Sequence, residues 1–517
     1  MKYELYPWQK ECLSCWSDNQ YHGIVNVITG GGKTVLALSA IELLERKLRP
    51  SKQSCPLRIK IVVPTASLMA QWKSAILDYF GSLVSPEDIG CRSGGRKDSA
   101  EHKFMIYVIN SARYSLARHV IADLDAGNTV LLIADECHHY SSTENQKIFE
   151  FLPFLENRTA RYASLGLSAT PETDNPDYAA VLKPALGNEI YHYGFEDATK
   201  KKSICQSAIF QIALSFTADE KAEYEDLTER LNRTLNYLRI RFPLLGSSGG
   251  GNFFSAVKRL AGENGTAAVY AQIVLALSYR RKALISCAGS RVSCAVELVC
   301  RLDKNSKIII FGERIDQADA LYKKLEWLFP NQSARYHSAI DPHARKLALK
   351  RFENGEIRIL ISCRALDEGF DVPSANVGII LSSASVKRQR IQRLGRILRR
   401  YEGKEIACLY YLYIDGTVEQ PSYFSEIPAE TALCDLTYDA TENEFSHPAY
   451  ETAANRLLRK FRKKHLDKLL LAEAEKSFRR GIVRPDWLTG KIYCKKKIAE
   501  SKNNAERNYW ICMRQMK

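Results

Sequence analysis

One ten-residue stretch near the N-terminus constrains this chain more than any other, because an apolar run leads directly into three consecutive glycines. Residues 25–28 predict a short buried strand, residues 30–32 a turn, and Lys33 the start of a helix. Glycines let the backbone approach an anion closely, and the N–H groups of a helix start point toward it. The stretch therefore predicts a phosphate-binding turn. Its phosphate-binding residues would be Thr29, Gly30, Gly31, Gly32, Lys33 and Thr34.

Two side chains of this turn carry further chemistry. Lys33 is placed to reach the β- and γ-phosphates of a nucleotide as a point charge, and the Thr34 hydroxyl is placed to hold Mg²⁺. The general pattern of such turns has a glycine where this chain has Val27. A strand–turn–helix corner that binds no ligand is the alternative interpretation of the stretch.

An acidic pair, Asp135 and Glu136, follows the apolar run 130–134. The carboxyl ends of buried parallel strands form the sheet edge where α/β proteins bind ligands. There Asp135 can share a Mg²⁺ ion with Thr34, and Glu136 can orient or deprotonate an attacking water. The pair and the glycine turn together predict that the chain binds and hydrolyses a nucleoside triphosphate.

Further segments follow in an order that resembles the superfamily 2 helicases and translocases, over about residues 5–400. Residues 5–9 resemble the segment that recognises adenine, with Gln9 as the recognising side chain. Residues 62–65 and 70–72 resemble motif Ia, and residues 108–112 resemble the next motif that faces nucleic acid. The resemblance implies nucleic-acid contacts by Pro64, Thr65, Gln71, Asn110 and Ser111.

Residues 165–171 resemble the Ser-Ala-Thr motif, which links hydrolysis to movement in this superfamily. The resemblance implies that ATP and Mg²⁺ are the cofactors. It also implies a coupling role for Ser168, Ala169, Thr170 and His138.

The second half of the chain supplies the complementary motifs. Residues 307–311 resemble the first strand of a second RecA-like domain, residues 366–373 resemble motif V, and residues 392–399 resemble motif VI. By this resemblance Gly369 and Asp371 would bind ATP, whereas His337 and Arg393 would contact nucleic acid. Catalytic roles would fall to Gln392, Arg396 and Arg399.

Motif VI also has a direct physical interpretation. An arginine is always charged and presents a planar fork, which suits a phosphoryl group that develops charge during transfer. Arg396 and Arg399 are three residues apart, so on a helix they share one face. An exposed basic helix that faces nucleic acid is the alternative.

Strands rich in Val, Ile and Leu alternate with helical stretches over about residues 24–193 and again over 307–415. This alternation predicts an α/β protein with parallel sheets. We expect two RecA-like domains in tandem, with a helical insertion and a basic helical C-terminal extension. The expected boundaries are 1–203 for the ATP-binding domain, 204–300 for the linker and insertion, 301–425 for the second domain, and 426–517 for the extension.

A long helical pattern opens at Asp219, is broken at residues 246–251, and resumes to Leu302. An insertion at this place is similar to that of XPB-type and Swi/Snf-type duplex translocases, although the Arg-Glu-Asp motif of the XPB group is not found. The Asp-Glu-Cys-His box and the compact size resemble phage branch-migrating helicases and restriction translocase subunits. The resemblance implies duplex or branched DNA as substrate. It also implies a repair, recombination or antiviral defence role, with a nuclease or other protein as partner.

The net charge of +15 is concentrated at the C-terminal end, where residues 451–517 contain 19 Lys and Arg against 7 Asp and Glu. Basic clusters neutralise phosphates, and aromatic rings among them, here Tyr493, Tyr509 and Trp510, offer stacking faces. The residues expected to contact nucleic acid are Arg459, Arg462 and Lys463. A solvated helix whose leucines pack on the second domain is the alternative, and both can hold on opposite faces.

Other classes of protein are disfavoured. No apolar stretch approaches the roughly 20 residues that span a bilayer, and the N-terminus lacks the apolar core of a signal peptide. The cysteines are scattered, and only Cys12 and Cys15 have metal-like spacing, so we expect reduced thiols in a cytoplasmic protein. Asp486, Glu500 and Lys502 superficially fit a nuclease motif, but their basic and helical surroundings favour a plain extension.

These observations predict an ATP-dependent DNA helicase or duplex DNA translocase. The length of the helical insertion favours DNA over RNA, although an RNA helicase remains an alternative. A second alternative is an ATP-controlled clamp that holds nucleic acid for a partner nuclease. The hydrolytic residues Glu136, Arg396 and Arg399 argue against a clamp, which does not need them.

Overall fold

The structure is a computed structural model that describes residues 4–48, 56–155, 159–169, 177–200, 205–241, 250–363, 375–382, 404–419 and 431–517. Over these residues the chain forms two eight-stranded sheets, each in its own α/β unit.

The first sheet has the strand order β4-β3-β5-β2-β6-β7-β1-β8, and all its pairs are parallel except β3–β4. The strands are β1 (Ile24–Val27), β2 (Leu57–Val63), β3 (Ile89–Ser93), β4 (Arg96–Lys97), β5 (Phe104–Val108), β6 (Thr129–Asp135), β7 (Tyr162–Ser168) and β8 (Glu189–Tyr193). The central strands are buried on both faces, which explains their continuous apolar sequences.

Helices cover both faces of the first sheet. Leu131 and Ile133 of β6 lie in one core layer with residues of the first three helices, whereas Val130 and Leu132 lie in the opposite layer with the fourth helix. This division follows from the two-residue period of a strand. The helices are α1 (Pro7–Asp18), α2 (Lys33–Leu48), α3 (Ala66–Phe80), α4 (Ile109–Asp125), and the short α5 (Lys183–Leu186) and α6 (Phe195–Lys200).

The second sheet has the order β11-β12-β10-β13-β14-β9-β15-β16 and is parallel except for β15–β16. Its strands are β9 (Gln206–Leu214), β10 (Ile308–Gly312), β11 (Ser333–Tyr336), β12 (Ile359–Cys363), β13 (Val377–Ile380), β14 (Ile406–Ile414), β15 (Ala432–Asp439) and β16 (Glu444–Ser446). Helices α11 (Ile315–Leu328) and α12 (Pro342–Glu353) connect strands of this sheet.

The second sheet is larger than the expected boundaries allow. Strand β9 falls within residues 204–300, which were expected to be linker and helical insertion, yet it pairs with β14 and β15. Strands β15 and β16 fall within the expected extension and complete the same sheet. The alternating burial of β15 is the mark of a strand with one buried face, and it contributes Cys434, Leu436 and Tyr438 to the core.

The helical insertion comprises α7 (Ala218–Arg241), α8 (Gly250–Ala261) and α9 (Thr266–Cys287), followed by α10 (Gly289–Arg301). Helices α7, α8 and α9 pack around a small core that includes Leu227, Val257 and Val274. One run among the described residues, Thr266–Arg301, is long and apolar enough to cross a membrane, with a mean hydropathy of 1.5 in its most apolar window. This run differs from the expectation that no apolar stretch approaches the length that spans a bilayer. Half of that window is buried within the fold.

The C-terminal helices pack on the second sheet and are α13 (Pro448–Lys463), α14 (Lys468–Gly481), α15 (Lys491–Glu500) and α16 (Asn504–Gln515). Leu457, Phe478 and Trp510 belong to the core that also contains Ile308 of β10. The prediction that Trp510 offers a stacking face is therefore wrong, because its ring is buried, whereas Tyr493 and Tyr509 are half-buried against it. These aromatic residues are part of the packing between these helices and the domain: the Tyr493 hydroxyl donates to Glu405 at 2.8 Å, and Tyr509 donates to Asp486.

Asp486, the first residue of the nuclease-like motif, also lies in this packing. Burial raises the pKa of its carboxyl despite the hydrogen bond from Tyr509. Glu500 instead pairs with Lys496, 3.7 Å away on the same helix. Each of these two carboxylates therefore has a partner within the C-terminal helices.

Candidate nucleotide site and nucleic-acid surface

The glycine turn lies between β1 and α2, as its sequence predicts. Gly30 and Gly32 have φ angles of 87° and 101°, in the left-handed region where only glycine is unstrained. A Cβ atom on Gly31 would lie 2.6 Å from Cγ1 of Val27. Val27, which replaces the glycine of the general pattern, thus packs against the turn and requires that position 31 have no side chain.

Gln9 of α1 is held against this turn. Its Oε1 accepts a hydrogen bond from the Tyr6 backbone N–H at 2.9 Å, and its Nε2 donates to the Gly32 carbonyl at 3.1 Å. The neighbouring Trp8 stacks on Tyr193, with ring centroids 4.6 Å apart, and so fixes the helix start to β8. The structure therefore places the predicted adenine-recognising residue directly beside the predicted phosphate turn.

The turn residues fit a nucleotide phosphate. Thr29 is buried, and among the described residues its Oγ1 atom has no hydrogen-bond partner. A buried hydroxyl without a hydrogen-bond partner lowers stability by about 1–3 kcal/mol. This position therefore favours a ligand whose oxygen atoms can accept a hydrogen bond. Thr34 is half-buried at the first turn of α2. Thr34 and Asp135 are the residues that could hold the Mg²⁺ ion of a bound nucleotide.

The acidic pair is joined to the turn by an ion pair. Nζ of Lys33 lies 2.9 Å from Oε1 of Glu136, and both side chains are mostly buried. Burial opposes ionisation of Glu136, but Lys33 and His138 outweigh it and lower the pKa of this carboxyl. Burial and the charge of Glu136 raise the pKa of Asp135 to about 6. A divalent cation beside Asp135 would offset that penalty, so the donor set fits a metal.

Glu136 has a φ angle of 48°, a left-handed conformation that turns the chain sharply after β6. Its second oxygen, Oε2, is buried, makes no hydrogen bond within the described residues, and lies 3.6 Å from Nδ1 of His138. A carboxylate oxygen with no other hydrogen bond is what the orientation of a water nucleophile requires.

His138 connects the acidic pair to the end of β7. Its Nδ1 atom lies 2.8 Å from Oγ of Ser168, and both side chains are buried. Ala169 follows the strand end, and Thr170 lies outside the described residues. The predicted coupling residues His138 and Ser168 are therefore brought into direct contact beside Glu136.

The predicted nucleic-acid residues of the first domain lie at the same sheet edge. The register pairs Val62 with Ala134 and Val63 with Val108, so β2, β5 and β6 end together. Pro64 and Thr65 follow β2, and Oγ1 of Thr65 caps α3 by accepting from the Leu68 N–H at 3.3 Å. The remaining members of this set are Gln71, half-buried on α3, and Asn110 and Ser111, in the first turn of α4.

The predicted site residues of the second domain and the C-terminal extension differ in where the structure places them. His337 is only 1% exposed, and its Nε2 lies 3.2 Å from Asp319 Oδ1, so its prediction as a nucleic-acid contact is wrong for this structure. Asp319 of α11 also pairs with Arg335 of β11 at 2.7 Å, so His337 is held at a contact between this helix and this strand. Arg459 and Lys463 are exposed on α13, whereas Arg462 pairs with Glu475 at 2.6 Å. Outside the described residues lie Gly369, Asp371, Gln392, Arg393, Arg396 and Arg399.

Two residues at the site had no role assigned from sequence. The Trp72 indole Nε1 donates to Asp135 Oδ2 at 2.8 Å, and the Tyr140 hydroxyl lies 2.6 Å from the Asp135 carbonyl oxygen. Trp72 is part of the segment that resembles motif Ia, but a contact across 63 residues of sequence has no local signal.

Comparison with known proteins finds similar chains over both α/β units. Residues 2–173 match the family model of the type III restriction enzyme, res subunit, and residues 290–401 match the helicase conserved C-terminal domain. The chain is 29% identical over 431 residues to the DNA 3'-5' translocase XPB2 of Sulfurisphaera tokodaii, a match that covers 81% of this chain and 83% of that relative. It is 24% identical over 422 residues to the putative DNA 3'-5' helicase Rad25 of Halobacterium salinarum, and spans 55% of that relative's length.

A solved structure supports the fold. The fragment structure of a putative HsdR subunit of a type I restriction enzyme from Vibrio vulnificus YJ016 superposes with a TM-score of 0.52 at 17% identity, and the match covers 85% of this chain and 70% of that one. Two α/β units, a phosphate turn linked to an acidic pair, and these matches lead to one conclusion. The chain belongs to the superfamily 2 helicases and translocases, which are nucleic-acid-dependent ATPases.

Proposed function

We propose that this protein hydrolyses ATP, with Mg²⁺, to move along or remodel duplex or branched DNA. The observation that carries the proposal is a continuous set of contacts from Lys33 to Glu136, from Glu136 to His138, and from His138 to Ser168. This set connects the phosphate turn, which follows β1, with the acidic pair at the end of β6 and with Ser168 of the coupling motif at the end of β7. ATP binding and hydrolysis would therefore act directly on the residues that couple them to movement.

In this mechanism Lys33 exchanges its partner. An entering γ-phosphate would draw Lys33 away from Glu136, which would leave the Glu136 carboxylate to orient and deprotonate water. Asp135 and Thr34 would hold Mg²⁺, which supplies positive charge to the phosphate oxygens. Gln9 would recognise the adenine, while the N–H groups of the glycine turn would bind the phosphates.

The second domain would complete the site. By their place in the motif order, Arg396 and Arg399 would stabilise the charge that develops on the γ-phosphate, with Gln392 beside them and Gly369 and Asp371 near the nucleotide. Because Lys33 belongs to the first domain and these residues to the second, hydrolysis would depend on how the two domains approach each other. Movement on DNA would follow from that dependence.

Duplex DNA is favoured as the substrate by the helical insertion α7–α9 and by relatives named as DNA 3'-5' translocases or helicases. The match to a restriction-enzyme subunit family favours a role in restriction or antiviral defence. The resemblance to phage branch-migrating helicases favours repair or recombination as the alternative, and either role would be carried out in the cytoplasm. In either pathway a nuclease or another protein would be the partner. Exposed Arg459 and Lys463 on α13 offer a positive surface for the DNA backbone.

The test compares ATP hydrolysis with duplex DNA, single-stranded DNA and RNA, and measures movement by ATP-dependent displacement of the third strand of a DNA triplex. We expect the strongest stimulation by duplex DNA, triplex displacement by the wild-type protein, and neither activity in the matched variant Glu136→Gln. Stronger stimulation by RNA would favour the RNA helicase alternative. An ATP-dependent increase in DNA affinity without ATP hydrolysis would favour the ATP-controlled clamp.

A further inference from the structure

Trp72 contacts the candidate metal ligand from a distant part of the chain. Its indole Nε1 donates to Asp135 Oδ2 at 2.8 Å, and the side chain is only 2% exposed. The other carboxylate oxygen, Oδ1, accepts from the Glu136 backbone N–H at 3.0 Å. Each oxygen thus keeps a lone pair for a cation, while the two donors set the orientation of the carboxylate.

A second contact ties the same two regions together. The Tyr140 hydroxyl lies 2.6 Å from the Asp135 carbonyl oxygen and 3.0 Å from the Val62 carbonyl oxygen. Val62 is near the end of β2, and α3 begins four residues later at Ala66. The side chain of Asp135 is therefore held by α3 itself, and its backbone is linked through Tyr140 to the strand that leads into α3.

Helix α3 also carries the residues proposed to contact nucleic acid. The half-buried Gln71 directly precedes Trp72. The helix has 15 residues, and the side chain of Thr65 caps its N-terminus. A small shift of its N-terminal end on DNA would displace the indole relative to Asp135, because packed helices shift as rigid elements.

The chemistry of an indole suits this position. Its N–H is a donor only and carries no charge, so it orients the carboxylate without neutralising it. A lysine or arginine at position 72 would compete with Mg²⁺ for the same negative charge. Polar groups that orient a ligating carboxylate typically change metal affinity by about 10- to 100-fold when they are removed.

We propose that Trp72 is a positioning residue for Asp135, and that it links the nucleic-acid face of α3 to the metal side of the ATP site. The proposal rests on the function proposed above and adds a route by which DNA would regulate nucleotide binding. The hydrogen bond from Nε1, rather than the packing of the ring, is the feature that does so.

Two substitutions separate the hydrogen bond from the packing. Trp72→Phe removes the N–H but keeps most of the ring volume. Trp72→His loses more volume but keeps a ring N–H at about the same position along the side chain. Trp16→Phe is the matched control, because Trp16 is equally buried and its indole donates to the Ser164 carbonyl at 2.9 Å instead. Thermal unfolding of each variant measures the accompanying decrease in stability.

The readout is equilibrium binding of a fluorescent ATP analogue at increasing Mg²⁺, which requires no turnover. In Trp72→Phe we expect the half-saturating Mg²⁺ concentration to rise by about 10-fold or more. In Trp72→His and Trp16→Phe it should stay near the wild-type value, and binding without Mg²⁺ should be the same in all four proteins. A larger shift in Trp72→His than in Trp72→Phe, or no shift in Trp72→Phe, would overturn the proposal.

The link to DNA is tested by repeating the titration with saturating duplex. We expect the duplex to change the half-saturating Mg²⁺ concentration of the wild-type protein and to have no such effect on Trp72→Phe. The link is wrong if the duplex has no effect on the wild type, or the same effect on both proteins. Failure of the proposed function is distinct, because a wild-type protein that binds no ATP analogue would reveal it before any variant is compared.

Discussion

Nζ of Lys33 lies 2.9 Å from Oε1 of Glu136, so the phosphate turn and the acidic pair are joined by one mostly buried ion pair. The charge of Lys33 is a main reason why the pKa of Glu136 is lowered although burial opposes its ionisation. The residue expected to bind phosphate and the residue expected to orient water are thus electrostatically dependent on each other. Substitutions at the two positions should nevertheless affect different steps, namely ATP binding and ATP hydrolysis.

Lys33→Ala should weaken ATP binding, because it removes the positive charge that reaches the phosphates and leaves Glu136 buried without its partner. Glu136→Gln should bind ATP but lower single-turnover hydrolysis by about 100-fold or more, the usual effect of removing a general base. Fluorescent-nucleotide binding and single-turnover hydrolysis measure the two effects separately. A wild-type hydrolysis rate in Glu136→Gln would refute the role assigned to Glu136.

Ser168→Ala should separate hydrolysis from movement. The substitution removes the hydroxyl that lies 2.8 Å from His138 Nδ1, while Lys33, Asp135 and Glu136 stay in place. We expect ATPase activity to stay within several-fold of wild type while triplex displacement per ATP falls. Ser164→Ala is the control, because Ser164 is buried on the same strand but donates to the Leu186 carbonyl. An equal decrease of displacement in both variants would show that the coupling assignment is wrong.

The basic surface of α13 should contribute to DNA affinity through its charge. Deletion of residues 451–517 cannot test this, since Leu457, Phe478 and Trp510 belong to the core of the second domain. The double substitution Arg459→Glu, Lys463→Glu changes only exposed side chains. We expect weaker duplex binding and a salt dependence of log affinity that is flatter by about 0.9 for each phosphate that the variant no longer neutralises.

The control for this prediction is Lys323→Glu, Lys324→Glu on α11, which changes the net charge equally at exposed positions of the same domain. Binding titrations over a range of salt concentrations compare the two double variants. Identical affinities and slopes would assign α13 to packing or to a protein partner.

Stability should fall in mild acid partly because of His119 on α4. Burial, followed by the charges of Arg92, Lys60 and Arg118, lowers the pKa of this imidazole to about 4, and its Nδ1 lies 2.7 Å from the Tyr107 hydroxyl. The unfolded chain takes up the proton near pH 6.5, but the folded chain does so only near pH 4. The contribution of neutral His119 is therefore complete above pH 6.5 and is lost as the pH falls toward 4.

His119→Gln removes this proton linkage. Between pH 7.5 and 4.5 we expect the melting temperature of the wild type to fall more than that of the variant, with the difference appearing below pH 6.5. Thermal unfolding followed by circular dichroism over this range measures it. Parallel curves for the two proteins would mean that the imidazole titrates normally in the folded state.

The sequence by itself determined the features that depend on neighbours along the chain. The glycine turn, the acidic pair after an apolar strand, and the two α/β regions all follow from local spacing, and the structure has them where they were predicted. Such features need only a strand period, a helix start and the freedom of glycine to adopt positive φ. The positions of Gln9 and Thr65 beside the site follow from the order of motifs.

Tertiary structure decided everything that depends on which distant segments meet. Strand β9 pairs with β14 and β15, His337 is buried in contact with Asp319, and Trp510 is packed in the core with Tyr493 and Tyr509 half-buried against it. The Trp72 contact to Asp135 also joins residues far apart in sequence. A residue's local pattern predicts its helix or strand, but its burial and partners are set by packing between elements, and this packing decides which polar groups become functional.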